Sequence, residues 1–274
     1  MFVKAIKKNT VYTKPLLTGR LHYPAMNIAN GIDTLIIINE EGDILTSAHV
    51  ADLFKLTDEI NEVYHPILVE LKDQNKKNIL KIEKKYDIKE GELVGLHNIL
   101  VDITKQPFTL NIIKHPTLDL AIIRAVQEVE VLINEFPTFR ETKAQIGEYL
   151  CKLGYSFPEY DTFYYDKEDC KIKINNNFMN FPSFALDGMV TRNVLDIDGN
   201  VTMFEMSTPC LPGAPGGPIF DEKGLICGMQ VGTKRINDFY HAEMDFSIDL
   251  GIGITSEAIM EFLDANNIKY NKAK

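Results

Sequence analysis

Two polar residues stand where they could act together in nucleophilic catalysis. His49 ends the run Ile44-Leu-Thr-Ser-Ala-His49, a short apolar strand followed by small residues that would present an imidazole at the strand end. Asp119 directly precedes the apolar run 120–123, where a carboxylate is costly to bury unless a group such as a histidine nitrogen pairs with it. A base and an acid that orients it are two components of acyl transfer, which also needs a nucleophile and oxyanion donors.

A loop rich in glycine and proline could supply backbone donors but contains no nucleophile. It reads Pro212-Gly213-Ala214-Pro215-Gly216-Gly217-Pro218 and is followed by an apolar pair and a second glycine-containing turn. Pro215 carries neither a hydroxyl group nor a backbone N–H. Cys210 lies five positions before Pro215, and Ser207 and Thr208 lie farther away. A relocated nucleophile would therefore require the loop to change shape.

These segments resemble the catalytic motifs of trypsin-like (chymotrypsin-fold) serine proteases, and they follow the family's order of histidine, aspartate and glycine loop. The family's loop reads Pro-Gly-x-Ser-Gly-Gly-Pro, so the resemblance places Pro215 at the serine and Gly213 at a remaining oxyanion donor. The segments 153–157 and 187–190 resemble parts of the second barrel in bacterial members. The resemblance runs from about Thr34 to the terminal helix and is closest to the bacterial intracellular or HtrA-like branch.

The family implies an all-β fold of two six-stranded Greek-key barrels with the active site in the cleft between them. It also implies substrate-binding positions at Pro209, Cys210, Leu211, Val231 and Gly232. The first three of these would form the base of the specificity pocket, and they include no acid. An apolar or small side chain is therefore the expected preference, rather than lysine or arginine.

The sequence leaves three functional hypotheses open. The first is a pseudoprotease that keeps the His49 and Asp119 pair and binds a peptide or protein ligand in its cleft. The second is an endopeptidase whose nucleophile has moved to Cys210, or in which Ala214 stands where a serine has been replaced. The third is a structural scaffold with an idle cleft. Since Pro215 cannot attack a carbonyl, we expect the chain to be catalytically inactive as it stands.

The pattern of apolar runs and turn residues independently favours many short strands. The run 34–49 predicts a hairpin, and 67–71 has the composition of a strand. The lysine-rich segment 76–89 has apolar residues at near-helical spacing, which predicts a surface helix inserted in the first half. A capping residue and an amphipathic pattern predict a terminal helix over 257–265. The segment 160–180 predicts a long hairpin or surface loop of the second half.

Composition bounds the remaining possibilities. The 274 residues carry a net charge of −10, which disfavours nucleic acid and anionic membranes as partners. No apolar run is long enough for a membrane span, and we expect a cytoplasmic protein. The four cysteines form no C-x-x-C pair, and no spacing predicts a metal site or cofactor. We place the domain boundary at a charged segment broken by Pro137, which divides the chain into 1–135 and 136–274.

Overall fold

The computed structural model describes residues 2–157, 162–175, 181–237 and 247–273. The helices in this part of the chain are α1 (Val3–Tyr12), α2 (Ala48–Leu71), α3 (Lys76–Tyr86) and α4 (Ser256–Ala265). The strands are β1 (Thr13–His22), β2 (Asn27–Ile37), β3 (Ile44–Thr46), β4 (Leu93–Leu100), β5 (Leu110–Lys114), β6 (Ala121–Ala125), β7 (Thr138–Phe139), β8 (Tyr149–Gly154), β9 (Phe163–Asp166), β10 (Lys171–Ile174), β11 (Phe184–Leu195), β12 (Val201–Met206), β13 (Pro218–Phe220), β14 (Ile226–Asn237), β15 (Ser247–Thr255) and β16 (Asn271–Lys272).

Two β-sheets organise the molecule. The first six strands form a curled antiparallel sheet in the order β4-β1-β2-β3-β6-β5. In the second sheet, β13 pairs with both β8 and β14, which closes the six strands β13-β8-β11-β12-β15-β14 into a barrel. The predicted all-β double barrel is therefore confirmed, with the first barrel open between β4 and β5. The strands of the first sheet end at Ala125, and those of the second begin at Thr138.

One hydrophobic core joins the two sheets. It contains Ile36 and Ile122 from the first sheet, Phe220 and Met229 from the second, and the apolar face of α4. The N-terminal helix α1, for which the sequence analysis made no prediction, adds Ala5 and Tyr12 to this core. Because the shared core is continuous, the ends of strands from both sheets are held in a fixed relation to each other.

The two predicted helices are confirmed. α3 starts after Asn75, whose side chain accepts a hydrogen bond from the backbone N–H of Asn78. α4 starts after Thr255, whose side chain accepts from the backbone N–H of Ala258. Both caps are the type of polar residue that satisfies the unpaired N–H groups of a first helical turn.

The predicted strand at 67–71 is wrong, because these residues form the last turns of α2. Ile67 and Leu68 are buried, Val69 is exposed, and Tyr64 and Leu71 are partly buried. That spacing of buried residues is helical rather than alternating. A short apolar run does not by itself distinguish the two patterns.

A hairpin is present within the segment 160–180, as predicted. Its described part forms an antiparallel hairpin of β9 and β10, while residues 160–161 and 176–180 lie outside the described part of the chain. The hairpin packs on the first sheet rather than the second, because Phe163 and Ile172 share a core with Leu17 and Leu21 of β1. Among the residues that the structure describes, no helix is long and apolar enough to cross a membrane.

Candidate active site

His49 and Asp119 meet at the start of α2. The ring Nδ1 of His49 lies 2.7 Å from Oδ2 of Asp119, and the backbone N–H of His49 donates to Oδ1 at 3.0 Å. Asp119 shortly precedes β6, which pairs with β3, so the sheet brings the carboxylate to the point where β3 leads into the helix. One carboxylate therefore caps the N-terminus of α2 and orients the imidazole, which leaves Nε2 as the ring nitrogen available to other groups.

The electrostatic surroundings of His49 favour its protonated form. The hydrogen bond with Asp119 is the largest influence and raises the pKa of His49, burial acts in the opposite direction, and the charges of Asp119, Asp33 and Asp52 raise it further. Burial alone would raise the pKa of Asp119, but its hydrogen bonds with His49 lower it overall. The pair is thus predisposed to hold an imidazolium beside a carboxylate.

We expect the Asp119→Asn variant to show a lower His49 pKa than the wild type, measured by NMR titration of the imidazole. Because the folded pKa lies above the ordinary histidine value of about 6.5, this interaction contributes fully to the free energy of unfolding below that pH. The contribution is lost as pH rises through the folded pKa. Asp52→Asn is the matched control, since its charge is the smallest of the named influences, and an equal fall in both variants would contradict the assignment.

The glycine loop consists of two consecutive tight turns. The backbone N–H of Ala214 donates to the carbonyl of Leu211 at 2.9 Å, and that of Gly217 donates to the carbonyl of Ala214 at 3.0 Å. In each turn proline occupies the second position and a glycine with positive φ the third, at +88° for Gly213 and +85° for Gly216. These are the features of type II turns, whose second position suits proline and whose third position favours glycine. Pro215 therefore fits the loop without distorting it.

Thr34 of β2 ties this loop to the first sheet. Its backbone N–H donates to the carbonyl of Pro215 at 3.3 Å, and its hydroxyl donates to the carbonyl of Gly213 at 2.6 Å. Its own carbonyl accepts at 3.0 Å from the hydroxyl of Thr46, a residue of β3 that lies three positions before His49. A Cβ added at Gly216 would lie 2.4 Å from the same hydroxyl. The strand that leads to His49 thus contacts the turn that contains Pro215.

The loop leaves few backbone N–H groups free to bind an oxyanion. The N–H of Gly213 has no acceptor among the described residues, so it remains available to a ligand. The N–H of Ala214 is used by Leu211, and that of Gly216 donates to the carbonyl of Gln230 at 2.8 Å. Pro215 has no N–H to contribute. A developing oxyanion at this turn would have one donor where the family's arrangement has two.

The charge of Asp33, which the sequence analysis did not predict, also acts on His49. This residue precedes Thr34 on β2, and burial raises its pKa to about 6, partly opposed by the charges of Arg20 and His49. The sequence did contain a signal that could have identified Asp33, namely a carboxylate inside the apolar run of β2. Its proximity to His49 depends on the curl of the sheet and could not be read from the sequence.

The remaining predicted substrate-binding positions lie on β14 and in the segment that precedes the glycine loop. Pro209 and Leu211 line a narrow pocket together with Ala214. Val231 and Gly232 lie on β14, where the pairing with β15 shifts register between Gln230 and Gly232.

Cys210 does not have the surroundings of a nucleophile. Its thiol is buried, and burial raises its pKa to about 12, so the reactive thiolate is disfavoured at neutral pH. Its backbone N–H donates to the hydroxyl of Thr233 at 2.9 Å, and none of its described contacts is with His49. Among the described residues, no group of three or more His, Cys, Asp or Glu side chains could hold a metal ion.

Two solved protease structures are similar to this chain. The Rv3671c protease of M. tuberculosis in its active form is 14% identical, with a TM-score of 0.47, and the match covers 97% of this chain and 86% of that one. The HtrA-type protease AlgW with a decapeptide is 12% identical, with a TM-score of 0.50, and the match covers 97% of this chain and 68% of that one. At these identities, the second likeness shows the fold alone.

The comparison of sequences gives the family. No curated protein matches the chain. The family model for the trypsin-like peptidase domain matches residues 34–229, a span that starts at the threonine holding the glycine loop and includes His49, Asp119 and Pro215. This match covers well over half of the chain, and the chain therefore belongs to the trypsin-like peptidase domain family.

Proposed function

We propose that this member of the family does not cleave peptide bonds and instead binds a peptide segment of a protein partner in the cleft between its barrels. The observation that carries the proposal is the intact turn at Pro215, the residue that the resemblance aligns with the family's serine. The turn keeps its internal hydrogen bond and its glycine with positive φ. The loop therefore has a stable shape in which the attacking group and one backbone donor are absent.

The size of the catalytic loss follows from the chemistry of acyl transfer. Removing the nucleophile alone leaves only the residual catalysis that comes from substrate binding and the oxyanion hole. Here the oxyanion arrangement is also reduced, because the proline nitrogen cannot donate. We therefore expect no peptidase activity above background.

Support for peptide binding comes from the edge of β14 beside the loop. The backbone N–H of Gln230 donates to Gly217, and its carbonyl accepts from Gly216. From Val231 onward, no described strand pairs with β14 on the side opposite β15. An unpaired strand edge offers backbone hydrogen bonds to an added peptide strand. A peptide bound along Val231 and Gly232 would pass the turn at Pro215.

The test combines a covalent probe with a binding measurement. A fluorophosphonate probe should not label the wild-type protein, and fluorogenic peptides and casein should not be cleaved. His49→Ala should change neither result. Labelling or turnover of the wild type that disappears in His49→Ala would contradict the proposal. Peptide binding should be measured separately by fluorescence polarisation with labelled peptide libraries, and the absence of any saturable binding would leave only the scaffold hypothesis.

The second candidate function is an endopeptidase with a relocated nucleophile. The hydrogen bond between His49 and Asp119 favours it, because peptide binding alone has no chemical need for an oriented base. The buried thiol of Cys210 does not favour it. If this hypothesis were correct, cleavage by the wild type would be abolished both by Cys210→Ala and by His49→Ala.

A further inference from the structure

A cavity lies between α2, β4 and the hairpin of β9 and β10, apart from the candidate active site. Its volume is about 280 Å³, close to the lower end of the range of about 300–1,000 Å³ that small-molecule sites occupy. The described residues that line it include neither His49 nor Asp119, and none of them belongs to the glycine loop. The proposed peptide-binding function therefore leaves this cavity without a role.

Hydrogen bonds hold the walls of this cavity in place. The side chain of Asn61 on α2 donates to the carbonyl of Leu96 at 2.8 Å and accepts from the backbone N–H of Leu96 at 3.1 Å, which fixes the helix to the outermost strand β4. The thiol of Cys170 donates to the carbonyl of Leu68 at 3.6 Å, which fixes the hairpin to the same helix. Because its walls are tied together, the cavity is formed in advance of any ligand, and binding does not have to order it.

The lining of the cavity is mainly apolar. Its buried apolar side chains are Leu21, Leu68, Val94, Leu96 and Ile172. Among the described lining residues there is no aspartate or glutamate, and the one lysine, Lys171, is exposed. This composition favours a ligand with an apolar body and disfavours a cation, whose charge would have no partner in the cavity.

Two imidazoles that line the cavity supply its polar part. Nδ1 of His65 lies 3.2 Å from the carbonyl oxygen of Cys170, which can only accept, so Nδ1 carries the proton and Nε2 of the neutral ring is an acceptor. The ring of His97 packs edge-to-face on Phe163, with the ring centroids 5.9 Å apart, and has no hydrogen-bond partner among the described residues. Burial lowers the pKa of His97, which keeps this ring neutral with one N–H donor and one acceptor.

We propose that this cavity binds a small uncharged molecule that has an apolar body and a hydroxyl group, such as an alkylphenol. A hydroxyl can donate to Nε2 of His65 or accept from the ring N–H of His97. A carboxylate can only accept, and it would lose its hydration among apolar side chains. The volume corresponds to about nine water molecules at about 30 Å³ each, which is room for a small substituted benzene ring.

The test compares three ligands of similar size by protein-observed NMR titration of the wild-type chain. The ligands are 4-ethylphenol, its isomer 4-methylanisole, which has no O–H donor, and 4-methylbenzoate, which is charged. We expect 4-ethylphenol to bind with a Kd of about 1 mM or tighter, and at least about ten-fold more tightly than either of the others. The amide shifts should be largest at residues 94–97 of β4, which line the cavity.

Substitution of the histidines tests which group recognises the hydroxyl. His65→Phe and His97→Phe keep a planar ring but remove the ring nitrogens, and at least one of them should weaken binding of 4-ethylphenol about ten-fold, to the level of 4-methylanisole. His22→Phe is the matched control, because Nδ1 of His22 also lies beside a backbone carbonyl, that of Gly91 at 3.1 Å, but His22 does not line the cavity. This control should bind like the wild type, and thermal unfolding establishes that each variant is folded.

Three results would overturn this proposal. The first is the absence of saturable shifts with 4-ethylphenol, or shifts confined to residues away from the cavity. The second is binding of 4-methylanisole or 4-methylbenzoate as tightly as 4-ethylphenol. The third is an unchanged affinity in both His65→Phe and His97→Phe. The comparison of ligands needs no variant, so the proposal remains testable even if a variant does not fold. Because the test uses no peptide, its outcome is independent of the proposed peptide-binding function.

Discussion

The Pro215→Ser variant should become reactive toward a fluorophosphonate probe, with a labelling rate at least about 100-fold above that of the wild type. The substitution restores a hydroxyl group and a backbone N–H at the same position. The second position of a type II turn accepts most residues as well as proline, and the bond from Thr34 to the carbonyl of residue 215 does not depend on the side chain. The new serine should therefore keep the place that Pro215 occupies beside the first sheet.

Two controls decide how a gain of labelling is interpreted. The double variant Pro215→Ser with His49→Ala should lose the reactivity, because the hydroxyl then has no base. Ala214→Ser places a serine one position earlier, where the side chain is buried, and it should remain unlabelled. If Ala214→Ser were labelled and Pro215→Ser were not, the position of the family's serine would be 214. If neither were labelled, the protease-like geometry would lose its support.

The substitution has a small thermodynamic cost. Loss of a proline from a compatible turn increases the conformational entropy of the unfolded chain and lowers the free energy of unfolding by about 0.5–1 kcal/mol. Chemical denaturation of Pro215→Ser should show this decrease. A much larger loss would indicate that the turn had changed, and an absence of labelling would then not count against the proposal.

The Gly216→Ala variant should be strongly destabilised, losing about 2–5 kcal/mol of unfolding free energy. A Cβ at this position would lie 2.1 Å from the carbonyl oxygen of Thr34 and 2.4 Å from the hydroxyl of Thr46. The positive φ adds a conformational cost of about 1–2 kcal/mol, and overpacking adds about 1–3 kcal/mol. Urea denaturation measures the total.

Two glycines elsewhere in the chain separate these costs. Gly91 has a similar φ of +82°, but a Cβ there would meet nothing within 4 Å, so Gly91→Ala should show only the conformational cost. Gly232 has open space and no positive φ, and Gly232→Ala should be within about 0.5 kcal/mol of the wild type. A loss in Gly216→Ala no larger than that in Gly91→Ala would mean that the loop is not packed against β2. The inferred contact between the loop and the strand that leads to His49 would then be absent.

The residue-level predictions succeeded where the information is local. The cap and amphipathic pattern of α4 and the lysine-rich α3 are short-range features, and both helices are present. The shape of the glycine loop is also a local matter, although its two turns were not predicted, because a Pro-Gly pair stands at the second and third positions of each type II turn. The strand expected at 67–71 failed because five apolar residues do not distinguish a buried helical turn from a strand.

The sequence by itself determined the chemical content of this protein: the family, the identities of His49 and Asp119, and the absence of a hydroxyl at Pro215. These follow from residue types and their order along the chain. Only the tertiary structure decided that Asp119 binds Nδ1 of His49 across 70 positions, that the charge of Asp33 acts on His49, and that Lys152 is buried without a counter-ion in the described part of the chain. Burial and pairing of a charged side chain depend on which strands surround it, and that arrangement is set by long-range sheet pairing rather than by neighbouring residues.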